Sequence, residues 1–203
     1  MKPQNTLFYS RKGGQGKTTL SAMYAQYAGA HLTTFDFDNG SRQLFEALLP
    51  KNHYHELSPN DKLAANPEYS NVFDFGGYLD QRVKNTAKVC QQCVVPIAAE
   101  SRSETKPFID TIEELSKHNN NIIIVINKTE KAYTEALIEQ IKKRYTFPIF
   151  VIPRTKFISK FADYGLNPVT LFESGEASIL QRHHLKTLSP KLKDFFDYIS
   201  KEK

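Results

Sequence analysis

The 203-residue sequence predicts an α/β fold, a mainly parallel twisted sheet with helices on both faces. Short apolar runs alternate with helix-length segments along the chain. Those runs are β-branched and almost continuously apolar, as strands covered on both faces require. A glycine-rich turn joins the first run to the first helix.

In chain order the expected strands are Thr6–Ser10, His31–Phe37, Val72–Phe75, Cys93–Ala98, Asn121–Ile126 and Phe147–Ile152. Helices are expected at about 17–29, 40–49, 79–90, 104–118 and 132–145. The fourth carries Phe108, Ile109, Ile112 and Leu115 on one side, with Pro107 in its first turn. Pro50–Tyr69 has three prolines, three asparagines and little periodicity, and reads as a long surface loop. Pro190–Lys203 is amphipathic, with Leu192, Phe195, Phe196 and Ile199 on one face. Its polar face mixes Asp194, Asp197 and Glu202 with Lys191, Lys193 and Lys201, whereas a membrane-surface helix is more one-sidedly basic. Packing against the domain is therefore its expected role.

The length suits one domain over residues 1–203. An apolar fraction of 40% with 24% charged residues argues against wholesale disorder. No run approaches the ~18 apolar residues of a transmembrane helix. Residues Met1 to Asn5 lack the apolar stretch of a signal peptide, so a cytoplasmic location is expected. Two cysteines cannot build a disulfide framework. Cys90-x-x-Cys93 runs from a helix end into a core strand, which favours burial over metal binding.

The net charge of +5 is uneven. Residues 1–141 hold 15 basic and 16 acidic side chains, and residues 142–203 hold 12 and 6. The excess thus sits in the last third, where it reads either as a solvated helical face or as a surface for a polyanion.

The strongest chemical signal is Arg11-Lys12-Gly13-Gly14-Gln15-Gly16-Lys17-Thr18-Thr19. Glycines let a tight loop turn its backbone N–H groups onto an anion, and the following helix adds its positive end. Lys17 can reach the β- and γ-phosphates, and the Thr18 hydroxyl can ligate Mg²⁺. The strict pattern G-x-x-x-x-G-K-[ST] needs glycine at position 11, where this chain has Arg11.

With its second lysine, Lys12-Gly13-Gly14-Gln15-Gly16-Lys17-Thr18-Thr19 resembles the deviant Walker A P-loop ATPases of the ParA/MinD family. The resemblance implies that Lys12 reaches across an ATP sandwich dimer to the partner subunit's phosphates. From physics alone, a second cation could equally act within its own subunit. Phe35-Asp36-Phe37-Asp38 resembles the family's Asp-x-Asp element, which would give Asp38 the orientation of the attacking water and Asp36 a place in the metal network. Two acids there could also be helix caps. Asn39-Gly40 after them is closer to the MinD-like variant. Asp74, followed by Phe75-Gly76-Gly77, resembles the Walker B aspartate, which binds Mg²⁺ through water.

Val94-Val95-Pro96 is similar to a further strand end of these proteins, and Asn127 stands where the family contacts the base. Asn127-Lys128-Thr129-Glu130 also resembles the guanine-reading Asn-Lys-x-Asp of GTPases. Against GTP, Ile152-Pro153-Arg154 and Ala162-Asp163-Tyr164-Gly165-Leu166-Asn167-Pro168 resemble the partition branch, which uses ATP; Pro153 and Arg154 are accordingly expected in the nucleotide site.

The resemblance thus implies a small plasmid-partition ATPase that uses ATP and Mg²⁺ and associates with the nucleoid when ATP-bound. It would dimerise on ATP, bind DNA non-specifically, and be stimulated by a ParB-like centromere-binding protein. Sequence from the first strand leaves no room for a preceding helix-turn-helix domain. Candidate DNA contacts are Lys142, Lys143, Arg144, Arg154, Lys156, Lys160, Arg182, Lys186, Lys191 and Lys193. The alternatives are a MinD-like membrane-associated ATPase, a relative serving conjugative transfer, and a ligase like dethiobiotin synthetase.

Overall fold

The computed structural model describes residues 3–35, 39–58, 60–77, 81–98, 102–129, 131–155 and 158–201. Its strands are β1 (Asn5–Phe8), β2 (His31–Thr34), β3 (Tyr54–Glu56), β4 (Asn71–Asp74), β5 (Gln92–Ala98), β6 (Ile122–Thr129) and β7 (Ile149–Pro153). They form one sheet in the order β3-β2-β4-β1-β5-β6-β7, and every pairing is parallel. The helices are α1 (Lys17–Ala28), α2 (Asn39–Leu48), α3 (Gln81–Val89), α4 (Thr105–Leu115), α5 (Lys131–Arg144), α6 (Pro168–Ser174) and α7 (Ile179–Ser200). Short 3-10 turns occupy Arg102–Glu104 and Ile158–Tyr164.

Successive residues of a strand face opposite ways, and β1 feeds two cores. Phe8 packs with Leu20, Met23 and Phe196 on the side of α1 and α7. Leu7 and Tyr9 pack with Phe73, Phe108 and Ile112 on the side of α3 and α4. Because β1 lies between β4 and β5, the strand order reverses at its end. The crevice outside such a reversal is where open α/β sheets bind ligands.

The stretches that differ from the sequence-based expectation include β3, the last helix and α6, which falls where no element is expected. β3 arises inside the segment expected to be loop and pairs with β2, Leu32 opposite Tyr54. Three residues between turn formers are too few for a period to register. The last helix begins at Ile179 and carries Pro190 in its interior. Pro190 looks like a first-turn residue, yet the start signal lies upstream: Gln181 N donates to Ser178 Oγ (3.4 Å) and Ser178 N to Gln181 Oε1 (2.6 Å), a capping box. α6 likewise begins at a polar cap, with Val169 N and Thr170 N both donating to Asn167 Oδ1 at 3.0 Å.

The apolar stripe of α7, including Leu188, Leu192, Phe195, Phe196 and Ile199, is buried, which agrees with packing against the domain. No helix among the described residues is long and apolar enough to cross a membrane. Cys90 and Cys93 are buried; burial raises the Cys90 thiol well above its ordinary value and pushes Cys93 to about 12, so both are protonated packing groups at neutral pH.

Candidate functional site

The chain leaves β1 and turns through residues 11–16 into α1. Gly14 (φ 76°) and Gly16 (φ 86°) take left-handed conformations that a β-carbon disfavours. Gly16 is the N-cap of α1, and its carbonyl accepts the bond from Leu20 N (3.0 Å). On the side where a β-carbon would stand lies the Asn127 amide. The loop and the first turn of α1 enclose a cleft of about 490 Å³, lined by Gly13, Gly14, Lys17, Thr18, Gly77 and Lys128 among others.

The loop's carbonyls are tied down from β6. Lys128 Nζ donates to the Gly14 carbonyl (2.8 Å) and Asn127 Nδ2 to the Gln15 carbonyl (3.1 Å). Two neighbours on one strand normally face opposite ways, but here the strand is irregular: the β6–β7 register shifts between Ile126 and Thr129. Lys128 has φ 52°, the only positive value at a non-glycine residue among the described residues, and its N–H donates to Asn127 Oδ1 (2.9 Å). The irregularity delivers both side chains to the loop. It fixes carbonyls that would otherwise compete with N–H groups for the cleft.

Gln15 and Glu104 brace the other side. Ala98 N donates to Gln15 Oε1 (2.6 Å), which fixes the amide so that Gln15 Nε2 faces Glu104 Oε2 at 2.7 Å and also reaches the Gly13 carbonyl at 3.2 Å. Lys12 Nζ pairs with Glu104 Oε1 at 2.5 Å. Buried Lys17 donates from Nζ to the Lys12 carbonyl (3.3 Å).

Asp74, fully buried, ends β4 beside β1, and its Oδ2 accepts from Thr34 Oγ1 (3.3 Å). Three residues on, the chain presses against the loop: a β-carbon on Gly77 would stand 2.8 Å from Gly13 N and 3.0 Å from the Lys12 carbonyl carbon. Only glycine permits that approach. Lys12, Gly13 to Thr19, Asn127 and the segment after Asp74 thus converge. Pro153 pairs opposite Thr129 on β7, and Arg154 follows it. Asp36 and Asp38 lie outside the described residues, and Phe35, just before them, stacks on Phe75 at 3.9 Å.

The arrangement fits a nucleoside triphosphate with Mg²⁺. A β-carbon on Gly13 or Gly14 would meet nothing within 4 Å, so that side of the loop has room for phosphate, while Lys17 and the Thr18 hydroxyl stand in the first helical turn. Sequence reasoning missed Glu104 and the anchoring role of Lys128. Glu104 begins a helix, where an acid reads as an ordinary dipole partner. Lys128 shows its role only through a strand irregularity that has no period.

A model of the CobQ/CobB/MinD/ParA nucleotide-binding domain matches residues 7–169. No curated protein matches the chain. Among solved structures, an ATP complex of a McdA variant from Cyanothece shares 13% identity and a TM-score of 0.65, over 100% of this chain and 98% of that one. MinD from Pyrococcus horikoshii OT3 with Mg-ADP shares 15% identity and a TM-score of 0.62, covering 98% and 96%. A plasmid partition protein from Borrelia burgdorferi shares 16% identity and a TM-score of 0.56, covering 81% and 97%. At these identities the likeness is one of fold.

Proposed function

The chain belongs to the CobQ/CobB/MinD/ParA nucleotide-binding family, and on that premise we propose that it is a ParA-like ATPase that positions DNA as a nucleotide-driven switch. The observation that carries this reading is the loop itself: an anchored phosphate cradle with a second lysine, Lys12, beside Lys17. In this reading the loop N–H groups and Lys17 hold the β- and γ-phosphates, and Thr18, Asp74 and Asp36 would hold Mg²⁺. Bound Mg²⁺ would neutralise charge on the phosphate oxygens. Asp38 orients a water whose oxygen forms the new bond to the γ-phosphorus while the bond to the β–γ bridging oxygen breaks, giving ADP and phosphate, with the water's proton passing to the phosphate oxygens or to solvent. Asn127, Pro153 and Arg154 border the nucleoside end.

Lys12 acts across a dimer in which two chains face each other over nucleotide. Dimerisation also joins two basic C-terminal thirds, with Lys142, Lys143 and Arg144 exposed at the end of α5. Such a surface holds the DNA backbone without reading sequence, and a ParB-like adaptor supplies the cargo. The Borrelia neighbour's description as a plasmid partition protein supports this branch. The burial of the α7 stripe in the core weighs against a MinD-like membrane helix.

The test is anisotropy of labelled random duplex DNA with and without ATP and Mg²⁺. Binding is expected only with ATP and should weaken on the order of 10³-fold between 50 and 200 mM salt. Equal binding without nucleotide would overturn the DNA-switch reading. Competition by unlabelled GTP against a bound ATP analogue checks the base, and stronger competition by GTP than by ATP would assign the site to guanine.

A further inference from the structure

We propose that Glu104 is a positioning residue for Lys12, a carboxylate within the same chain that competes with the partner's phosphate for this lysine. The inference rests on the reading above in which Lys12 acts across a dimer.

The two ends of the ion pair are held very differently. Glu104 is the fixed end: its side chain is 9% exposed and both oxygens are engaged, Oε1 by Lys12 and Oε2 by Gln15. Gln15 cannot turn away, because its own oxygen is held by Ala98 N and its nitrogen also serves the Gly13 carbonyl. Lys12 is the movable end, with a side chain 37% exposed and a flexible four-carbon stem. Beyond Glu104 its ammonium reaches the Ser103 hydroxyl at 3.5 Å.

One ammonium cannot give its full charge to two anions. While Glu104 holds it, the field available to a phosphate is reduced; when it leaves, a nearly buried carboxylate loses its cation. Both effects oppose the sandwich dimer. Each protomer must release one such pair, so the symmetric complex feels the opposition twice. Glu104 thereby sets the nucleotide concentration at which the dimer forms.

The experiment is sedimentation of the full chain with Mg²⁺ and increasing non-hydrolysable ATP analogue. The wild type, Glu104→Gln, Lys12→Ala and the double variant are compared. Glu104→Gln keeps an oxygen that can accept from Gln15 and removes the charge. Its dimer midpoint is expected at roughly tenfold lower analogue concentration. In the Lys12→Ala background, which is expected to stay a single chain, the same substitution should restore no dimer. An unmoved or raised midpoint overturns the proposal, as does dimerisation of the double variant, which would mean that Glu104 acts through a general field effect and not through Lys12. A wild type that never dimerises fails the dimer reading itself, and the proposal with it. Should Glu104→Gln not fold by circular dichroism, Glu104→Asp, with its shorter reach, is expected to shift the midpoint in the same direction by less, and no shift there overturns the proposal equally.

Discussion

The phosphate loop and α7 are held in place by opposite means. The loop has little side-chain bulk to bury, so polar groups hold its carbonyls: from distant β6, Lys128 on Gly14 and Asn127 on Gln15, and from within the loop, Gln15 on Gly13. α7 is held by apolar burial, with the Phe196 ring 5.8 Å from Tyr24 and 5.2 Å from Tyr27. Its cations also serve the fold. Arg182 caps carbonyls, Nη2 to Gly175 (2.5 Å) and Nε to Ala177 (3.0 Å). Lys193 donates to the Tyr27 hydroxyl (3.0 Å) and lies within 3.3 Å of Asp197 and 3.8 Å of Glu173. A region's net charge therefore overstates the charge it can offer a ligand.

If the division is right, damage to one region should leave the other's property intact. Phe196→Ala is expected to lower stability in urea by about 3–5 kcal/mol with no change in nucleotide affinity of the folded protein. A parallel loss of affinity would show the regions to be coupled. Lys17→Ala is the converse. Removal of one preorganised cation should weaken ATP-analogue binding on the order of 10²–10³-fold by titration calorimetry, with little change in thermal midpoint.

Lys128→Met sharpens the comparison within the loop, since it keeps the stem and removes the tether to Gly14. Roughly tenfold weaker nucleotide binding is expected, the scale of one charge-assisted bond. An unchanged affinity would mean that the loop holds its shape without β6. The smallest effect belongs to the α1–α7 brace. The Tyr27 hydroxyl, aided by Lys193, holds the Asp197 carboxyl below its ordinary 3.8. Its contribution is present above about pH 4 and is lost as the pH falls through the depressed value. Solvent screening keeps it small. Asp197→Asn should therefore flatten the acid limb of the stability curve slightly and leave nucleotide binding unchanged.

What the sequence discloses follows from how local each feature is. The loop is legible because its glycines, lysines and following helix are contiguous, and β5 and β6 because most of their residues are apolar. β3 is not, because three residues at a sheet edge carry no period. The start of α7 is obscured by Pro190, which resembles a first-turn proline while the capping box lies upstream. Glu104 and Lys128 escape for another reason: their partners are 92 and 114 residues away, and only the fold brings them to the loop.

The central claim is that Lys12 and the phosphate loop together make a nucleotide-driven dimer. It is tested most directly by the solution mass with Mg²⁺ and a non-hydrolysable ATP analogue, for the wild type and Lys12→Ala. The wild type is expected to pass from one chain of 23.2 kDa to two as analogue is added, while Lys12→Ala still binds analogue but stays a single chain. A wild type that remains one chain at saturating analogue, or a Lys12→Ala that pairs as readily, would contradict it.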